Sequence, residues 1–408
     1  MKHFRLSRLT LTLAALSFSS FSHAAAFQFY ELGTPVVGTA GVGQAVIASD
    51  ASTAYFNPAG MNELKGTQFM LGTQLFLPFT NFSPNSSTTI SGNNGSNAGV
   101  LAPTIGGYVV HPIGRDLEFG VSLTTPYAGA LNYNTHWVGR YDIQELTLIT
   151  LNLNPALSYK VNPWLSIGGG IAIEYAYLNE TVAVPISQVP PVDGQIMPKL
   201  NSTAAGFNLG VMLTPSDAAK IGNAYRSKIE HHLHGDLDFL NLPNTPTAQT
   251  KLVMPANIIA SISYQLSNNF NLLGELGWAN WSAMQNSILT VDGYSVDTPE
   301  NWRNTYRLGL GGQYHLTPVF LVQAGASYDS SPTTSSKRLP VLPMDRQVRL
   351  GVGMEYGFFQ VVKLGLSYEY INLGNASINN VTSNGTLAGS YSRNYTNVFQ
   401  ASINVATQ

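Results

Sequence analysis

Three histidines in one short stretch, His231, His232 and His234, are the first residues whose types could do chemistry. On a strand His232 and His234 share a face, as two ligands of a metal ion would. No third ligand is evident, and the run leads toward a polar loop, so the expectation is a surface strand end and no metal. His111 and His315 lie beside short turns, a poor setting for the aligned nucleophile and base of a hydrolase. Cysteine is absent, which removes thiolate metal sites, Cys nucleophiles and disulfides together. Gly168-Gly169-Gly170 and Gly309-Leu310-Gly311-Gly312 lack the form of a phosphate-cradling loop. The residues point away from an enzyme, and no cofactor is expected.

What remains is a set of charges on alternating stretches: Arg226, Glu230, Arg307, Arg349, Glu355 and Glu369. They could bind a ligand. The expectation is instead that they face an interior and pair with one another, holding an inner segment against a wall.

The elements that would position them alternate with period two. Leu165, Ile167, Ile171, Ile173, Tyr175 and Tyr177 share one face, and Ser166, Gly168, Gly170, Ala172, Glu174 and Ala176 the other. The same split of aliphatic against small or polar residues recurs at 258–266, 348–356 and 362–370. Between Leu148 and Ile149 the phase changes, which predicts a bulge. Charged residues are only 10% of the chain while hydrophobic residues reach 44%. Ordinary globular proteins carry about 25% charge, so a surface this poor in charge suits lipid. The net charge of −2 and the lack of a basic cluster argue against nucleic acid.

Fourteen strand-like stretches follow one another from residue 66: 66–78, 101–111, 116–125, 143–160, 164–184, 203–214, 219–237, 250–266, 269–280, 302–316, 318–329, 345–357, 361–373 and 393–405. Short turns and long Asn/Ser/Pro-rich loops alternate strictly between them, as in an even-stranded outer-membrane barrel with both termini periplasmic. Trp164, beside a short turn, suits the periplasmic girdle. Residues 1–24 read as a secretory signal: Lys2, Arg5 and Arg8 precede a short apolar run and the small residues at Ser22 and Ala24. Residues 25–65 do not alternate. Their small residues and the Asn57-Pro58-Ala59-Gly60 turn predict a compact plug inside the lumen, since this many strands enclose more space than side chains fill. The barrel then covers 66–408.

Several stretches resemble the FadL family of outer-membrane transporters for hydrophobic molecules, which includes TodX-like aromatic hydrocarbon channels. They are Ala25-Ala26-Phe27-Gln28, Asn57-Pro58-Ala59, Ala224-Tyr225-Arg226-Ser227, Trp281-Ser282, Asn304-Thr305-Tyr306-Arg307, Tyr328-Asp329-Ser330-Ser331-Pro332 and Leu342-Pro343-Met344-Asp345-Arg346. The resemblance implies a fourteen-stranded antiparallel transmembrane β-barrel with an N-terminal plug, or hatch, in the lumen, carrying Phe27, Asn57, Pro58 and Ala59. It implies capture of a ligand by outward loops, passage to a lumen pocket, and lateral exit at a kink in the third strand, here Pro126, Tyr127, Ala128 and Gly129. Pro126 cannot donate to a ladder; equally, the strand could simply end there. Lumen charges would be Arg226, Arg307, Arg349 and Glu355. The implied partners are a long-chain fatty acid or similar molecule and outer-membrane lipid, with the protein a monomer. Val182 and Thr298 stand where fatty-acid transporters place basic groups, which leaves an uncharged or aromatic ligand open. So are an adhesin barrel without transport and a water-filled porin. The chain closes on Val405-Ala406-Thr407-Gln408 rather than the usual terminal aromatic residue.

Overall fold

The computed structural model describes residues 28–188, 191–239, 246–299, 301–359 and 361–407. The expected signal sequence and Phe27 lie outside the described residues.

The alternating stretches become one closed wall. It begins with β1 (Gln68–Pro84), β2 (Ala102–Pro112) and β3 (Leu117–Thr124), and β4 (Ala128–Asn132) continues the third strand beyond a break. β5 (Glu145–Asn162), β6 (Leu165–Gln188), β7 (Pro191–Ser216) and β8 (Ala219–Arg226) follow. A raised hairpin, β9 (Ile229–Phe239) and β10 (Thr247–Met254), precedes β11 (Asn257–Ser267) and β12 (Phe270–Ala279). A second, β13 (Asn286–Val291) and β14 (Tyr294–Pro299), precedes β15 (Thr305–Thr317), β16 (Phe320–Asp329), β17 (Gln347–Phe358) and β18 (Val362–Asn372). The short β19 (Ile378–Thr382) leads into β20 (Gly385–Ala406). With β3 and β4 taken as one, fourteen antiparallel strands form the wall, and β20 closes on β1 from Gln68↔Ala406 to Pro84↔Gly389.

Two expected strands are divided. The stretch 219–237 leaves the ladder at Ser227-Lys228, and 250–266 does so at Pro255-Ala256, where proline has no N–H to donate. β9 and β10 pair with each other above the wall, and β9 also pairs with the raised part of β7. Much of what reads as long loop is likewise strand: β6 and β7 stay paired as far as Gln188↔Pro191. Polar composition marked these segments as loops, although backbone pairing needs no apolar face once the strands stand clear of lipid.

The two faces behave as the period demands. On β15, Tyr306, Leu308 and Leu310 are each more than 60% exposed, while Arg307, Gly309 and Gly311 point inward. Tyr159, Trp164, Tyr264, Tyr314 and Tyr356 are exposed near the short turns, the position of an interfacial aromatic girdle.

The expected bulge in β5 is absent. Inside and outside alternate without interruption through the phase change, and Leu146 and Leu148 are buried inside while Ile149, Leu151 and Leu153 face out. The apolar residues have changed sides, and the ladder is intact. Leu146 and Leu148 join Leu178, Leu200, Leu233, Trp137 and Trp281 in one large cluster. The lumen is therefore apolar toward the long loops. There Tyr133 donates to Pro340 O at 3.0 Å and meets Tyr391 Oη at 2.6 Å, tying two loops to β20.

Candidate functional site

Residues 28–64 lie among inward side chains from all round the wall. A 3-10 turn, Pro35–Thr39, ends on Ala40 in the left-handed region. One helical turn, Thr53–Phe56, leads through Asn57 into a second 3-10 segment, Pro58–Glu63. Asn57 works in both directions. Its Oδ1 accepts from Ala59 N at 3.2 Å, capping the turn that Pro58 begins. Its Nδ2 donates to Ala45 O at 2.7 Å and to Val211 O of β7 at 3.1 Å. Pro58 and Ala59 are buried at this contact. The backbones meet so closely that a Cβ on Gly222 of β8 would sit 1.8 Å from Ala45 O, so only glycine fits there.

Arg307 and Arg349 join segment to wall through ion pairs. Arg307 bonds Glu275 at 3.0 Å and Asp329 at 2.8 Å, and gives its remaining nitrogen to Ala40 O at 2.5 Å. Glu275 in turn accepts from the backbone of Gly43 and Gln44. Arg349 bonds Glu31 of the segment at 2.6 Å and Glu369 of β18 at 3.5 Å. All of these groups are buried. Replacing Arg307 by Met leaves Glu275 and Asp329 without that cation. The expected loss is about 3–5 kcal/mol of stability, read as a lower denaturant midpoint of the folded barrel; an unchanged midpoint would mean the network contributes nothing.

The third strand is interrupted. β2 pairs with β3 from Pro112↔Glu118 only as far as Gly107↔Leu123, and the next contact is the isolated bridge Gly99↔Leu131. On the other side β3 stops at Thr124↔Asn152 and β4 resumes at Ala128↔Ile149. Three residues, Thr125 to Tyr127, thus oppose two on β5, a bulge in register. Thr150 clamps it, with Oγ1 within 3.1 Å of both Tyr127 N and Tyr127 O. The N-terminal segment pairs with the break from inside. Gln28 bridges Tyr127, and Phe29 N–H donates to Pro126 O at 2.9 Å. The Phe29 ring stacks on Phe76 of β1, with centroids 4.1 Å apart. Behind the break lies a cavity of only 30 Å³, lined by Phe29, Phe56, Tyr127, Arg226 and Ile259 among others.

The closed fourteen-stranded wall thus has lipid outside, a filled lumen and one interrupted strand. The family described as outer membrane protein transport protein (OMPP1/FadL/TodX) matches residues 15–406. The chain belongs to this family. It is similar to the long-chain fatty acid transport protein of Salmonella typhi, 24% identical over 414 residues, with 92% of this chain and 93% of that one covered. A solved Pseudomonas aeruginosa FadL homologue matches with a TM-score of 0.87 at 23% identity, over 94% of this chain and 100% of the other. The Pseudomonas putida toluene transporter TodX matches with a TM-score of 0.72 at 17% identity, over 94% and 100%. These structural likenesses concern the fold. The chain is thus an outer-membrane barrel of a family that transports hydrophobic compounds.

Some residues singled out in this FadL/TodX-family barrel sit elsewhere than expected. Ala128 and Gly129 belong to β4 and are already paired with β5, whereas toward β2 the ladder stays open from Thr124 to Ala130. The reading in which the strand simply ends at Pro126 does not hold. Glu355 makes no ion pair within 4 Å among the described residues; it lines a 460 Å³ cavity at the periplasmic mouth with Lys363. Glu230 is not lumenal: it pairs with Lys251 at 2.8 Å in the raised hairpin, and that bond holds its carboxyl below the usual range. His231 is not at the surface. It is fully buried and meets Glu174 at 3.2 Å, whereas His232 and His234 are exposed. Alternation along β9 could have separated His231 from its neighbours, had the break at Ser227-Lys228 been visible.

Proposed function

We propose that this barrel admits hydrophobic molecules passively, long-chain fatty acids foremost, and releases them sideways into the bilayer through the break beside β2. The observation that carries this is the interrupted third strand, closed from inside by Gln28 and Phe29 rather than by the wall itself. Residues 28–64 act as the plug. The long loops capture the ligand, the apolar half of the lumen holds it, and a shift of the plug lets the tail pass between β2 and Tyr127. A cavity of 30 Å³ has room for about one water, so a tail cannot pass until the plug moves. A downhill path of this kind needs no cofactor.

The test is binding and uptake together. Purified full-length mature protein is titrated with oleate, oleyl alcohol and an aromatic hydrocarbon, and cells with and without the barrel are compared for oleate uptake. Saturable binding with barrel-dependent uptake is expected. Absence of any saturable site would turn the reading toward an adhesin, and steady ion conduction toward a porin. Preference for the aromatic ligand would favour the second reading, a hydrocarbon channel; Val182, uncharged and buried in the apolar cluster, points that way.

A further inference from the structure

We propose that Arg226 is an anion-accepting latch: its guanidinium grips Tyr55 of the plug until the carboxylate of an amphipathic ligand takes its place. The proposal rests on the transport reading above and names the ligand chemistry that would drive it. Arg226 Cζ lies 3.4 Å over the Tyr55 ring. The same side chain donates to the Tyr55 carbonyl and, through Nη1, to Asn154 Oδ1 at 3.1 Å. All these partners are neutral.

The contrast with the other two arginines at the plug is what singles it out. Arg307 and Arg349 each bond two carboxylates within 3.5 Å. Among the described residues no carboxylate oxygen lies within 4 Å of Arg226. Glu174 on β6 is committed elsewhere, to Asn152 Nδ2 at 2.9 Å and His231 Nε2 at 3.2 Å. A half-buried guanidinium satisfied by neutral groups is where a carboxylate gains most, because the charged, bidentate pair is about twice as strong as a neutral bond.

Position completes the case. Arg226 lines the cavity behind the break with Phe29, Phe56 and Tyr127, so a carboxylate bound there sets its tail at the gap. Once the guanidinium turns to the carboxylate, the Tyr55 ring and carbonyl are released together. Tyr55 and Phe56 are the last two residues of the helical turn Thr53–Phe56, and both pack in one apolar cluster with Phe29. Loosening that turn therefore enlarges the cavity on the side of the break. An alcohol with the same tail offers only another neutral oxygen and cannot displace the carbonyl.

Amide hydrogen exchange over residues 50–61 reads the latch directly. The folded full-length mature barrel is measured alone, with oleate and with oleyl alcohol, as wild type and as Arg226→Gln, and binding of each ligand is measured in parallel. In the wild type, oleate but not the alcohol is expected to speed exchange by about tenfold. In Arg226→Gln, exchange is already fast, oleate adds no more than the alcohol, and binding no longer favours oleate. If both ligands bind the wild type and change exchange equally, or if Arg226→Gln keeps the preference, the latch is wrong and the transport reading stands. If neither binds, the transport reading falls and takes the latch with it. Should Arg226→Gln give no folded barrel, Tyr55→Leu keeps the cation and removes the ring. It is expected to loosen the plug while retaining the oleate preference, and loss of that preference would overturn the proposal.

Discussion

Deletion of residues 26–63 is expected to turn a barrel that barely conducts into an open pore. Single-channel conductance in planar bilayers should rise by at least an order of magnitude. Outside the break in the third strand, the wall does not depend on the segment for its backbone pairing, because strands bond their neighbours and β20 closes on β1 over the whole length of β1. What the deletion removes is everything between the inward faces. Those faces carry little to replace it: Gly72, Gly222, Gly325 and Gly351 each meet backbone of residues 28–64 at a distance no Cβ could occupy. Fourteen strands enclose a lumen wider than small side chains can fill, so water enters. Arg349 loses Glu31 but keeps Glu369 and Asp329 within 4 Å, so the wall retains counter-ions for its charge. A variant that migrates as a folded barrel yet conducts no better than the intact protein would show that the loops, rather than residues 28–64, seal the lumen.

The second large effect concerns the break itself. Gln28 and Tyr127 are antiparallel bridge partners, a relation that places Cα atoms about 4.5–5.5 Å apart, within the span of a disulfide. The chain has no cysteine of its own, so Gln28→Cys with Tyr127→Cys yields one defined cross-link in the oxidising periplasm. Fixing the plug to the kink should abolish most ligand uptake, and reductant should restore it. The reduced double variant is the baseline, since it already lacks the Tyr127 ring and its edge contact with Trp281. Full uptake by protein shown to be cross-linked would mean the ligand leaves by another path.

Arg307, Arg349, Asn57 and the break were all visible in the sequence as residues of interest, but what each one touches was not. Arg349 and Glu31 are 318 positions apart, and nothing local signals their pairing. The large apolar cluster left a trace in the phase change at Leu148 and Ile149, which a bulge explains equally well until the ladder is seen. Glu230 and His231 were misplaced for one reason: the wall strand ends at Arg226, and two residues without pairing put everything beyond it in a raised hairpin.

By itself, then, the sequence determined the features that depend on near neighbours. Period-two alternation, turn chemistry and loop lengths act over a few residues, and they specified strand number, the lipid-facing side, and the segment that does not alternate. Only the tertiary structure decided which inward residues meet across the lumen, which of three arginines has no carboxylate within 4 Å among the described residues, and what covers the break. Those are consequences of closure. Joining β20 to β1 sets inward faces opposite one another and opposite an N-terminal segment whose path is fixed by contacts hundreds of residues away, and no local pattern encodes that.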